Sequence, residues 1–145
     1  MAKIFYLVLL VIFFSGCSFF GDTQKELLDH KIVVLDDKFY DDFKLLNVAS
    51  RKNTDGFTEI EAMFANTKTK NIKVAYRIDW FDKDNFLVDT IMSRWKVINV
   101  DSLRNFVIRG VSPSIKAVNY QVRIMYPTKD DELRNNPLNY EYQGK

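Results

Sequence analysis

Beyond residue 31 the chain alternates apolar and polar positions with a period of two. Its clearest run is Ile72 to Phe81, where Val74, Tyr76, Ile78 and Trp80 fall on one side and Lys73, Ala75, Arg77 and Asp79 on the other. A helix would scatter these apolar groups around its axis, whereas a strand collects them on one face. Lys116 to Tyr126 repeats the pattern, with Val118, Tyr120, Val122, Ile124 and Tyr126 set against Asn119, Gln121 and Arg123. Pro127 then ends the run, because proline donates no amide to a ladder. In Phe57 to Asn66, Ile60, Ala62 and Phe64 oppose Glu59 and Glu61, the signature of a strand with one wet face.

Shorter strands are expected at Ile32–Leu35, Phe43–Val48, Phe86–Ile91, Trp95–Val100 and Leu103–Arg109. Turn formers separate them: Asn53 with Asp55-Gly56, the polar run 66–71, Asp82-Lys83-Asp84-Asn85, and Gly110 to Ser114 with Pro113. The short 66–71 connection predicts an antiparallel hairpin between its flanking strands. Seven or eight strands and no long helix after the N-terminal region predict an all-β domain, two antiparallel sheets packed apolar face to apolar face. A small open barrel is the alternative. The expected core is Val74, Tyr76, Ile78, Trp80, Val118, Tyr120, Val122 and Ile124, each worth about 1.5–3 kcal/mol when fully buried.

The N-terminus has a different grammar. Lys3 precedes an unbroken apolar run, Ile4 to Phe14, followed by Ser15-Gly16-Cys17. A basic start, a short greasy core and small residues make a secretory signal. The run is too short to span a membrane, which needs roughly 20 residues. Phe14-Ser15-Gly16-Cys17 resembles the lipobox of bacterial lipoproteins, with Phe14 where the pattern usually has Leu. The resemblance implies cleavage after Gly16 and acylation of Cys17. Several acyl chains on one residue hold a protein stably, since each buried methylene contributes roughly 0.8 kcal/mol. Ser18, rather than Asp, follows the cysteine, which by the same resemblance favours outer-membrane sorting. The expected division is a signal peptide over 1–16, an acylated cysteine and tether over 17–31, a β domain over 32–128, and a polar tail over 129–145 that carries Tyr140 and Tyr142.

Composition removes several functions. The net charge of +2, from 21 bases against 19 acids, is not the basic field of a nucleic-acid binder. One cysteine excludes an internal disulfide and a four-cysteine zinc site, and one histidine, His30 in the tether, excludes any two-imidazole centre. No Gly-x-Ser-x-Gly elbow is present. Glu59 and Glu61, about 6.6 Å apart along one strand, are the one carboxylate pair that a glycoside hydrolase would use; alternating carboxylates more often keep a strand soluble. Asp82, Asp84 and Asn85 suggest calcium only weakly, because the other ligands of an EF-hand loop are missing. No cofactor, metal site or catalytic residue is expected. Asp82 is expected to cap its own turn, and Arg77 to pair with Glu59 or Glu61 on a neighbouring strand.

Tyr76-Arg77-Ile78-Asp79-Trp80-Phe81-Asp82-Lys83-Asp84-Asn85 resembles the signature of the YcfL family of bacterial envelope lipoproteins, with Asn85 where the family's turn usually ends in glycine. Asn66 with Lys70-Asn71, and the strand Ala117 to Tyr126, also look like that family's. The resemblance implies an immunoglobulin-like sandwich in the periplasm, anchored at the outer membrane, with no established activity. Some members are encoded beside the lipoprotein activator of a peptidoglycan synthase, which points to a wall-associated task. The expected function is a non-catalytic binding or scaffolding module of the envelope with a protein partner, and Arg77, Asp82 and Asn85 are the candidate binding face. A passive structural lipoprotein and a carboxylate-based wall hydrolase are the alternatives.

Overall fold

The computed structural model describes residues 31–135. Its elements are β1 (Ile32–Val34), α1 (Phe39–Asp42), β2 (Phe43–Lys52), β3 (Thr58–Asn66), β4 (Ile72–Phe81), β5 (Lys96–Val100), β6 (Asn105–Val111), β7 (Asn119–Met125) and α2 (Lys129–Arg134). The fold is mostly β, with seven strands in two sheets among the described residues. One sheet has the order β1-β7-β4-β5 and the other β2-β3-β6. All pairs are antiparallel except β1 with β7. The signal peptide, Cys17, the tether with His30, and Tyr140 and Tyr142 lie outside the described residues.

The period-two pattern of the sequence becomes one shared core. Ile60, Ala62, Phe64 and Ile108 from the three-stranded sheet join Val74, Ile78, Trp80, Val122 and Ile124 from the four-stranded sheet in a single buried cluster. The two sheets approach closely at Gly110. A Cβ there would lie 2.6 Å from Cδ1 of Ile78 and 3.3 Å from Cζ2 of Trp80. Only glycine leaves the space those side chains occupy. Elsewhere in the core, Phe39 stacks on Phe43 at 4.7 Å, Phe64 stacks on Phe106 at 5.2 Å, and Phe43 meets Phe106 edge-on at 5.6 Å. Such pairs add about 0.5–1.5 kcal/mol each beyond their burial.

The helices were not expected. Phe39 and Phe43 are four residues apart, and one helical turn puts both rings on the same side of the chain, where both are buried. In α2, Thr128 caps the first turn: its hydroxyl accepts from the Asp131 amide while the Asp131 carboxylate accepts from the Thr128 amide. This places a helix at the start of what the sequence offers as a polar tail.

Three other expectations are corrected. First, β3 and β4 are not a hairpin: they lie in different sheets, so that their apolar faces can share one core. The 67–71 connection is pinned by buried Asn66, whose Nδ2 donates to the carbonyls of Lys70 and Asp101 while its Oδ1 accepts from the Lys68 amide. Second, Phe86 to Ile91 forms no return strand. Only Leu87 bridges to Phe81, and the Val88 amide donates to the Trp80 carbonyl; β5 takes the other half of that β4 edge, pairing with Ile72 to Tyr76. Third, two expected core residues sit outside the fully buried set. Tyr76 is half-buried at the margin of the cluster, and Val118 is half-buried outside it. Ala117 is fully buried instead, because the buried Thr58 hydroxyl donates to its carbonyl at 2.9 Å and draws that residue inward.

Two predictions follow from this packing. Trp80→Ala will lower the unfolding free energy by about 3–5 kcal/mol, and Gly110→Ala by about 1–3 kcal/mol through overpacking against Ile78 and Trp80, both read from urea unfolding. The second concerns Tyr126, whose hydroxyl donates to the Asp42 carboxylate at 2.8 Å. Burial first, then Asp42, holds its phenol well above the ordinary value of 10.0. The folded state therefore binds this proton more tightly than the unfolded chain does. The stabilisation is fully present below pH 10.0 and is lost as pH rises beyond it towards the folded value. Unfolding followed across alkaline pH will show that loss in the wild type and a smaller one in Tyr126→Phe.

Candidate binding site

Arg77 and Arg123 face each other across the β4–β7 ladder. Like charges directly opposite are unfavourable unless an anion lies between them. Asp79, two residues along β4 and therefore on the same face as Arg77, supplies one. Its carboxylate is buried and is engaged by Arg77, whose Nη2 donates to Oδ2 at 3.0 Å while Nε stands 2.9 Å from Oδ1. That second approach is too poorly aligned to count as a hydrogen bond. Arg123 reaches the same Oδ2 only at 3.9 Å, beyond hydrogen-bond distance. The Trp95 ring covers the Arg77 guanidinium at 5.3 Å, a cation–π contact. Among the described residues the cluster holds two guanidinium cations and one carboxylate.

The expected pairing of Arg77 with Glu59 or Glu61 is therefore replaced by one within its own strand, since β3 belongs to the other sheet. Arg51 holds Glu59 at 2.8 Å and Arg109 holds Glu61 at 2.9 Å. The Arg51 hydrogen bond, opposed by slight burial and aided by Asn53, keeps the Glu59 carboxyl below its ordinary value. A hydrolytic acid needs the opposite shift, a carboxyl that keeps its proton near neutrality.

Asp82 and Asn85 do not join Arg77. They lie in the turn beyond the end of β4, with Asp82 five residues from Arg77, about 16 Å along an extended strand. Asp82 Oδ1 accepts from the amides of Asp84 and Phe86 at 2.9 Å each. Asn85 takes the positive φ of 64° that the turn needs, a conformation asparagine tolerates. Its Oδ1 accepts from Asn119 Nδ2 at 3.3 Å. Asp84 pairs with Lys83, and among the described residues no group of three or more His, Cys, Asp or Glu is placed to hold a metal ion.

A second surface lies where the expected return strand is missing. Phe86, Leu87, Ile91 and Met92 are exposed, Ile91 at 91%. Beside them opens a cleft of about 600 Å³ lined by Ile60, Ile78, Trp80, Gly110 and Met92, and also by Lys96 and the arginine-paired Glu59 and Glu61. Its size is that of a ligand or side-chain pocket. Lys96 makes no ion pair among the described residues. Sequence reading missed Asp79 and Arg123 as partners of Arg77, although the Arg77-x-Asp79 spacing on a strand was the available signal. It also took Phe86 to Ile91 as a strand; the broken alternation of that run was the sign that it is not one.

No curated protein matches the chain. Among solved structures, the Campylobacter jejuni protein cj0090 superposes with a TM-score of 0.55 at 19% identity, covering 68% of this chain and 99% of that one. A DUF1425 family member from Shewanella sp. pv-4 superposes with a TM-score of 0.54 at 16% identity, covering 60% of this chain and 80% of that one. At these identities the likeness concerns the fold alone. Residues 31–126, which contain all seven strands, match the family described as protein of unknown function DUF1425, and the chain belongs to that family.

Proposed function

We propose that this chain is an envelope lipoprotein of the YcfL type, a non-catalytic binding module held by acylated Cys17 at the outer membrane and facing the periplasm. The observation that carries the reading is the exposed apolar segment Phe86 to Met92 beside the cleft walled by Ile60, Ile78 and Trp80. Large exposed apolar groups gathered on one flank mark a surface that meets another molecule. We take that molecule to be a protein of the envelope, one connected with wall synthesis. The engagement of Glu59 and Glu61 by arginines supports binding over hydrolysis.

The same reading takes the domain as an immunoglobulin-like sandwich. Its support is the neighbour pattern: β3 beside β6 in one sheet and β4 beside β7 in the other match the B–E and C–F neighbours of that fold. Here β1 lies parallel on the outer side of β7, where an immunoglobulin domain carries its last strand antiparallel.

The anchor is tested by intact-mass measurement of membrane-extracted protein. Wild type will lack residues 1–16 and carry acyl mass on Cys17, and Cys17→Ser will lose that mass; a wild type that retains residues 1–16 refutes the anchor. The surface is tested by crosslinking in the native envelope. Ile91→Lys and Phe86→Glu will each lose the crosslinked partner without a fall in Tm, since neither side chain is part of the core. A partner captured equally by both variants places the contact elsewhere.

A further inference from the structure

We infer that Arg123, with Arg77 and Asp79 beside it on the β4–β7 ladder, is a binding site for a singly charged carboxylate. The inference is independent of the apolar flank and goes beyond the reading above. Three observations carry it. Among the described residues the cluster has one more cation than anion. Both oxygens of the one anion, Asp79, lie within 3.0 Å of Arg77, so Arg123 is left with a single contact at 3.9 Å. The Nε of Arg123 is buried and has no hydrogen-bond partner among the described residues, a rare and costly condition for a charged donor.

Water can serve the outer edge of the Arg123 guanidinium, because its side chain is 36% exposed. Water does not answer the charge. Two guanidiniums opposed on adjacent strands around one carboxylate repel each other, and a second carboxylate would make two cations and two anions. The planar fork of arginine matches a carboxylate in a bidentate arrangement. Asp79 favours a singly charged ligand, since a phosphate dianion next to a buried carboxylate would bring three negative charges against two positive ones. Trp95 lies over Arg77, which leaves Arg123 as the more open of the two arginines. The ligand class is therefore a monocarboxylate, and the free C-terminus of a peptide is the form of it used as the probe.

The test is calorimetric titration of the full chain in neutral detergent with an N-acetylated tripeptide bearing a free C-terminal carboxylate. The same peptide with an amidated C-terminus and inorganic phosphate are titrated in parallel. The carboxylate peptide will bind, and both the amide and phosphate will bind at least about tenfold more weakly. Arg123→Gln will weaken the carboxylate peptide about tenfold or more. Arg123→Lys keeps the charge without the fork and will also weaken it, which covers the case in which the glutamine variant fails to fold. Arg109→Gln, on the other sheet, and Ile91→Lys, on the apolar flank, will leave the affinity unchanged, so failure of this site and failure of the protein-partner surface are read separately. Equal binding of the amide, equal or tighter binding of phosphate, unaltered affinity in a folded Arg123 variant, or no binding by the wild type would each overturn the assignment.

Discussion

The fold depends on how closely Trp80 and Ile78 of one sheet can approach Gly110 of the other. The largest core side chain needs space, and a glycine on β6 provides it. Trp80 then also meets Tyr120 on β7, ring centroids 6.2 Å apart, so one side chain links β4 to its sheet neighbour and to the facing sheet. Protein interiors are packed as densely as organic crystals, and this contact is therefore a constraint on the distance between the sheets. The aromatic group of Phe39, Phe43, Phe64 and Phe106 completes the core away from it.

The surface features follow from the allocation of strands to sheets. Because β3 and β4 separate, the acids of β3 meet the arginines of β2 and β6, and the arginines of β4 and β7 are left with Asp79. Each acid of β3 has an arginine of its own, whereas Asp79 is shared by two. Because β5 covers only the first half of the β4 edge, the second half is covered by an irregular segment. That segment cannot turn its apolar side chains inward with the regularity of a strand, and several of them face outward. Two facts of topology thus account for the polar cluster and for the apolar flank.

Membership in a family described only as of unknown function leaves chemistry as the guide to the task. The carboxylates that would attract a hydrolytic reading are tied to arginines, and Glu59 is shifted in the direction opposite to that of an acid catalyst. The features that remain without full internal explanation are exposed apolar side chains, a cleft, and an arginine short of an acceptor among the described residues.

Much of the fold was legible because strand propensity is written in neighbouring residues. The alternation of Val74, Tyr76, Ile78 and Trp80, and of Ile60, Ala62 and Phe64, depends only on the two-residue repeat of an extended chain, and β3 and β4 lie where that repeat places them. The Asp82–Asn85 turn was legible for the same reason, since its hydrogen bonds are local. Pairing was not legible. Which strand lies beside which depends on contacts between residues far apart in sequence, so the short 66–71 connection looked like a hairpin when it crosses between sheets. The site was half legible: Arg77 stood out, while its partners Asp79, Trp95 and Arg123 were chosen by the ladder and by the segment folded over it. The sequence by itself determined strands such as β3 and β4 and the Asp82–Asn85 turn, because each is encoded within a few residues. Only the tertiary structure decided the partners, because burial is a property of the assembled sheets.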